Sequence, residues 1–518
     1  MKTFKLLPIM VAFSGMALAE TATVAQVASE PVVQDNILPQ LSFAAQQARA
    51  AELVKQADYA LEQEQIRQEQ ARKFAEAEAR KFAEAEARIK QEIGNNALLL
   101  SQATTKVYLD SEFATMWNDK AAEKAFLKEY ALFAVSGVSS KSAKALQQIL
   151  NQPEGLGRDI LLTDGFLDYL YYNKNVFKNA NNWLYNLGSY VPKSPSSEQI
   201  FQWTNAVREG DSGQFVTNLV PRNHLYRDTA QRVLAMAGGS SAPKAKKGKA
   251  VTEVAGGGNG ASFYKLALNA QRLRIIPSFN NGIFVNIPSY QLYYFRDGNL
   301  ALQSKVIVGR EDRRTPVMDS KLSNVVVNPP WNVPTSIMTK DIIPKLARDP
   351  GYADRASFEI LDSSGNKINP RSVNWSQYLN AKSSPYRIRQ KAGDDSALGR
   401  YKFNMPSSDA IYLHDTPNRG LFGKTGRALS SGCVRVEKSD ELATILLKEA
   451  GWGSDKKNQV LGSKKTTSAQ IRSDNPVYLY YVTAWVEGGK VQTLPDIYNF
   501  DAKIPQHSVN WGKLKSII

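Results

Sequence analysis

A chain of 518 residues, 43% hydrophobic and 10% aromatic, holds ample material for a buried core and is inconsistent with wholesale disorder. A formal net charge of +16 favours polyanionic partners, whether nucleic acid, anionic lipid or a carboxylate-rich polymer, without choosing among them. One cysteine and three histidines exclude an internal disulfide framework and make a zinc finger improbable, so neither a metal site nor a cofactor is expected.

At the N-terminus Lys2 and Lys5 precede the apolar run Leu6 to Ala19, which closes on small residues. Residues 1–19 read as a secretory signal peptide cut before Glu20, because the apolar core is short for a bilayer span. No later stretch is a transmembrane candidate, so the mature protein is expected to be exported and soluble. Residues 20–98 form a polar and helical spacer, with a helix-like tract from about Phe43 to Ile93 in which RKFAEAEA occurs twice, at 72–79 and 80–87. An eight-residue period drifts off a 3.5-residue seam, so a solvated helix is expected rather than a coiled coil.

Residues 99–237 place apolar side chains three and four apart and predict a helical domain. The Gly-, Ser-, Ala- and Lys-rich stretch 238–262 reads as a flexible basic linker. From residue 263 to 505 the period turns strand-like, with hairpin signals at Asp297-Gly298 and Gly488-Gly489 and a mixed insertion at about 331–379. Residues 506–518 are a short tail. The fold class is therefore α+β: a β-rich domain with an insertion, a mostly helical domain and a helical spacer.

The lone Cys433 lies in SSGCVRV. Taken as one strand, this segment puts Cys433 and Arg435 on one face and Val434 and Val436 on the other. Ser439 is a plausible N-cap for a following helix that Gly451 ends. A thiol becomes a nucleophile as thiolate, commonly with help from an imidazole. His224 falls in the helical region and His507 in the tail, whereas His414 sits in DAIYLHDTP, a strand-like segment that turns Tyr412 and His414 to one face. Spacing alone leaves Cys433 open as a small core residue and His414 as a structural group. Asp415 could orient the imidazole through its side chain, although a backbone carbonyl could do the same and HDTP also fits a turn.

At these residues the chain resembles a known family. IYLHDTPNRGLFGKTGRALSSGCVRV is similar to the catalytic signature of L,D-transpeptidases with the YkuD fold, especially the periplasmic YcbB-like branch. NPPWNVP (328–334), ALGRYKFNMPSSDAIYLHDTP (397–417) and DIYNFD (496–501) also match, and LLTDGFLDYL with LVPRNHLYRD resembles that branch's helical scaffold. Two departures stand out. Ser431 replaces the wider family's His before Gly-Cys, as in the YcbB-like branch, and the linker 238–262 occupies the place of the usual peptidoglycan-binding module.

The resemblance implies a periplasmic enzyme of a Gram-negative bacterium that works on peptidoglycan stems. Cys433 would attack the third residue of a donor tetrapeptide, releasing D-Ala, and the amine of an acceptor meso-diaminopimelate would resolve the thioester into a 3→3 cross-link. His414 would be the base. Backbone N–H groups of Gly432 and Cys433 are oxyanion-hole candidates, with Ser431 beside them. Tyr412 could orient substrate or support the oxyanion, or simply pack. Arg435 could meet a substrate carboxylate or hold its own loop, and Trp331 could line the cleft from the capping insertion or be structural. Water or a lipoprotein lysine as acceptor would make the enzyme a carboxypeptidase or an anchoring enzyme. A non-catalytic wall-binding protein is a further alternative, other wall synthases are conceivable partners, and no nucleic-acid module is recognisable.

Overall fold

The computed structural model describes residues 43–237, 263–408 and 410–518, so the expected signal peptide, the polar residues 20–42 and the linker 238–262 lie outside the described residues. Helix α1 (Phe43–Ile93) opens the described chain, and the first of two units ends within it at Ala77. In that unit the helix is solvated, with Leu53, Tyr59 and Phe74 exposed and Arg72 bridging Glu69 and Glu76. Such exposed pairs contribute a few tenths of a kcal/mol each, about what a lone helix needs.

The second unit begins at Glu78. Ala85, Ile89 and Ile93 are buried at helical spacing, and the two isoleucines join the core of a helical body. That body comprises α2 (Ser101–Asp110), α3 (Lys120–Val135), α4 (Ser140–Asn151), α5 (Leu156–Asn175), α6 (Ala180–Trp183), α7 (Ser197–Glu209), α8 (Ser212–Asn218) and α9 (His224–Met236). Local sequence starts several of these helices. The Asp119, Ser139 and Asn223 side chains accept from first-turn N–H groups, and Ser196 with Gln199 forms a capping box. α5 carries three buried aspartates. Asp159 accepts from Met116 and Trp117 N–H, Asp164 from Leu99 and Leu100 N–H and Thr104, and Asp168 from Tyr130, Ser142 and Tyr190. Each carboxylate thus ties a loop or a neighbouring helix to α5.

Helix α10 (Phe263–Arg274) follows the linker, and the sequence reading assigns it to the β domain. It is instead the seam of the molecule. It packs on α3 and α9, its polar Asn269, Gln271 and Arg272 are fully buried, and Arg274 pairs with Glu129 of α3 beneath the Tyr169 and Tyr226 hydroxyls. Arg272 reaches the other way, to Asp501 at 2.6 Å.

The β domain's strands are β1 (Gly282–Asn286), β2 (Gln291–Arg296), β3 (Asn299–Gly309), β4 (Met318–Lys321), β5 (Asn324–Val327), β6 (Trp331–Asn332), β7 (Phe358–Leu361), β8 (Lys367–Ile368), β9 (Arg387–Gln390), β10 (Tyr401–Asn404), β11 (Leu413–His414), β12 (Ala428–Ser430), β13 (Val434–Val436), β14 (Thr467–Gln470), β15 (Pro476–Tyr480), β16 (Ala484–Glu487) and β17 (Lys490–Thr493). Eleven of them form one sheet in the order β14-β5-β10-β11-β13-β3-β2-β1-β15-β4, with β12 also on β3. The β2–β3 and β16–β17 hairpins turn at Asp297-Gly298 and Gly488-Gly489, where all four residues have positive φ. The sheet and the helical body share one continuous apolar core.

The insertion folds as a separate lobe. β6, β9, β7 and β8 form its own sheet, with α11 (Thr335–Ile337), α12 (Ile343–Arg348) and α13 (Tyr352–Arg355) around a second core of Ile343, Leu346, Ile360 and Trp375. Because β9 pairs with both β6 and β7, this lobe runs to Gln390 and not to 379 as expected. After β13 come α14 (Ser439–Glu449) and α15 (Ser454–Ser463), and the chain closes on α16 (Trp511–Ile517). The expected tail is therefore an anchored helix, with Leu514 buried and Trp511 against Phe263.

Candidate active site

The segment expected to be a single strand is two. β12 runs parallel to β3 and β13 antiparallel to it, so the chain reverses at Ser431-Gly432-Cys433. Gly432 makes the reversal at φ +121°, a region other residues rarely adopt. Ser430 clamps the turn, its hydroxyl accepting from Gly432 N–H at 3.1 Å and donating to the Cys433 carbonyl at 2.6 Å. Thr315 donates to the Gly432 carbonyl at 2.6 Å, and Tyr498 braces Thr315 by accepting from its N–H and donating to the Gly309 carbonyl. Gly432 N–H is thus committed to Ser430 and unavailable to an oxyanion. Among the described residues Cys433 N–H has no partner.

The faces fall as alternation predicts. Leu413, Val434 and Val436 are buried in the core, while Tyr412, His414, Cys433 and Arg435 share the opposite face. Lys402 of β10 lies directly across from His414, and Arg435 of β13 lies across on the other side, so an imidazole stands between two cations. Tyr412 lies beside Cys433, whose thiol points at the Ala410 carbonyl at 4.0 Å. The Lys402 ammonium sits 4.2 Å over the Tyr412 ring.

Electrostatics follow from this packing. His414 donates from Nδ1 to the Asp415 carbonyl at 2.5 Å, which leaves the Nε2 lone pair toward the site. Burial, then Arg435 and Lys402, bring its pKa down to about 3, so the ring is neutral at physiological pH. Burial pushes the Cys433 thiol up, against the opposing pull of Tyr412, Lys402 and Arg435. The resting pair is therefore thiol and neutral imidazole, with cations ready for a thiolate.

The Asp415 carboxylate faces away from the imidazole. It accepts from Arg400 N–H, Arg419 and Ser439, which fixes the strand carrying His414 to α14. Gly399 is required here, since a Cβ would meet the carboxylate at 2.4 Å. Ser439 is accordingly not the expected N-cap: the helix starts at Ser439 itself and its hydroxyl serves Asp415.

From the insertion, Trp331 packs on Phe358 at the edge of the lobe's core and lies near the Tyr412 phenol. Arg313, on the loop after β3, donates to Ser431 Oγ at 3.2 Å and pairs with Asp341 of the insertion at 2.9 Å. Of the other histidines, His224 opens α9 beside Phe279 and His507 lies in the C-terminal segment, neither on this face. Arg435 holds no loop: among the described residues it makes no hydrogen bond or ion pair, and its Nε is buried without a partner. Sequence reasoning missed Lys402, Arg313, Thr315 and Tyr498. Only Lys402 left a signal, as a charge alternating with buried Tyr401 and Phe403.

The model of the YkuD family, an L,D-transpeptidase catalytic domain, matches residues 280–468, and the model of a Scaffold domain matches residues 102–232. A Haemophilus influenzae protein named "Putative L,D-transpeptidase" is 51% identical over 432 residues, covering 83% of this chain and 84% of its own. Two solved structures show slighter likeness. An Ldtfm–avibactam carbamoyl enzyme is 12% identical over 40% of this chain and 50% of its own, with a TM-score of 0.19. The catalytic domain of an E. faecium L,D-transpeptidase acylated by ertapenem is 13% identical over 39% of this chain and 97% of its own, also with a TM-score of 0.19.

Proposed function

The chain belongs to the YkuD-type L,D-transpeptidases with the scaffold architecture of the YcbB-like branch, and from that premise we propose that it forms 3→3 cross-links between peptidoglycan stems through a thioester on Cys433. The observation that carries the proposal is the pairing of β11 with β13, which turns His414 and Cys433 to one face with Nε2 left unprotonated. Nε2 takes the thiol proton as sulfur attacks the carbonyl of the donor's third residue. The C–S bond forms, the C–N bond breaks, and D-Ala leaves with the proton from the imidazolium. The amine of the acceptor's third residue then attacks the thioester, a new C–N bond replaces C–S, and the thiol regains its proton. Tetrapeptide plus acceptor thus give cross-link plus D-Ala, with no cofactor.

Cys433 N–H is the donor available to the oxyanion, with the Tyr412 hydroxyl beside the sulfur as its partner in that role. Arg313 steadies Ser431 from the loop after β3, with Trp331 of the insertion near Tyr412. The lysines and apolar run at the N-terminus support export to the periplasm of a Gram-negative cell. The test is incubation of purified protein with disaccharide-tetrapeptide and mass spectrometry of products. A 3→3 dimer that disappears in Cys433→Ala is the expected result, whereas tripeptide alone would overturn cross-linking in favour of a carboxypeptidase. Ertapenem, followed as a mass shift on the Cys433 peptide, reports the acyl-enzyme separately.

A further inference from the structure

Buried cations elsewhere among the described residues have partners: Arg158 pairs with Glu123, Arg272 with Asp501, Arg274 with Glu129 and Lys457 with Asp440, and Arg427 donates to the carbonyls of Val306, Lys424 and Tyr290. Lys402 and Arg435 are the exception. Both are half-buried, both suffer desolvation, and among the described residues neither has a hydrogen bond or an ion pair. Removing a cation from water without an anion is costly, so two of them on one face call for an anionic ligand.

Their position says which anion. Lys402, His414 and Arg435 form one row across three adjacent strands, at about 5 Å per strand. Tyr412 and Cys433 form the next row, about 7 Å along the strands. With the scissile carbonyl on the sulfur, a group one residue beyond it falls within reach of the cationic row, since a residue spans at most about 3.6 Å and both side chains are long. In a tetrapeptide donor that group is the terminal carboxylate. It sits on the same carbon as the departing amine. The acceptor meso-diaminopimelate presents the same head, an amine and a carboxylate on one D-carbon.

We propose that Lys402 and Arg435 form one carboxylate clamp that serves both halves of the reaction, holding first the leaving D-amino acid and then the incoming one. This rests on the cross-linking reading above. The clamp orients the amine of each toward the carbonyl on Cys433, with Nε2 of His414 between the two cations to pass the proton. A bidentate guanidinium fixes the plane of the carboxylate, and the ammonium, held over Tyr412, supplies the second charge.

The experiment compares a tetrapeptide ending in a free carboxylate with the same peptide as its C-terminal amide, following Cys433 acylation by mass spectrometry. D-alanine and D-alaninamide are compared likewise as acceptors for the acyl-enzyme. Wild type is expected to prefer the acid by about 100-fold in each step, and Arg435→Gln or Lys402→Met to cut that preference by about 10-fold each, the size of one charge-assisted hydrogen bond. A variant that is merely damaged lowers both rates and leaves their ratio. Equal rates for acid and amide in wild type overturn the clamp and leave the cross-linking reading intact. A preference that survives unchanged in both variants assigns the carboxylate to other residues and also overturns it. If neither donor acylates Cys433, the cross-linking reading falls and takes the clamp with it.

Discussion

The helical body and the catalytic face treat buried charge in opposite ways. On α5, Asp159, Asp164 and Asp168 each receive three hydrogen bonds from loops and neighbouring helices, and Glu129 is shared by Arg274, Tyr169 and Tyr226. On the sheet, Lys402 and Arg435 flank His414, and among the described residues neither side chain has an ion pair. Saturated charges of the first kind lock geometry, because any movement strands an ion in a low dielectric. Unsaturated charges of the second kind keep the site poised, since they depress the imidazole and favour a thiolate without committing to a partner. One region uses charge as a rivet and the other holds it in reserve.

Substitutions can break that contrast. The largest effect belongs to Cys433→Ala, which should abolish ertapenem adducts and cross-linked products while leaving the circular dichroism melt within about 1 kcal/mol of wild type, as a small half-buried side chain at the edge of the core allows. Next is Arg274→Met, which leaves Glu129 buried without its cation and should cost about 3–5 kcal/mol in denaturant unfolding, with the acylation rate of the folded fraction unchanged. A rate that collapses along with stability would show that the seam also shapes the site.

pH separates the regions further. His414, at about 3, is already neutral throughout the physiological range, and the Cys433 thiol is raised, so the thiol–imidazole pair that reacts is the resting form and acylation should stay level between about pH 5 and 8 to within about twofold. It should show no step near 6.5, and a clear inflection there would refute the neutral resting pair. In the helical body, burial raises Asp164 to about 6. A carboxyl with a raised folded-state pKa binds its proton more readily folded than unfolded, so its contribution to stability is greatest below the unfolded value near 4 and is lost as pH rises to about 6. Asp164→Asn should flatten the stability profile across that window, as thermal melts at pH 4 to 7 would register. The smallest effect is Tyr498→Phe. Losing the hydroxyl that braces Thr315 and Gly309 should cost about 1 kcal/mol and slow acylation a few-fold by loosening the Gly432 turn.

Much of the site could be read from alternation, because strand side chains repeat every two residues whatever the tertiary context. That was enough to pair Tyr412 with His414 on one side of their strand and Cys433 with Arg435 on one side of theirs, with the valines in the core. Adjacency was another matter. Lys402 enters through the β10–β11 register, and no local pattern announces a cross-strand neighbour. The split at Gly432 was hidden because Ser-Ser-Gly-Cys-Val-Arg-Val fits a strand period as well as two short strands joined at a positive φ. The insertion's true end at Gln390 depended on β9 pairing with strands from either side of it, and α10 changed bodies because its burial is decided by α3 and α9. Local chemistry was legible in each case, and long-range pairing was not.

The seam has a mechanical consequence. The β domain enters the helical body through α10 and returns to it through the C-terminal segment, where Gln147 holds Ser508 and Asn151 holds Lys513. A protease cut anywhere in 238–262 would therefore leave two pieces that still co-elute, because both ends of the sheet remain docked. The lobe with its own core has no such double tether, and the Arg313–Asp341 clasp fastens it to the loop after β3.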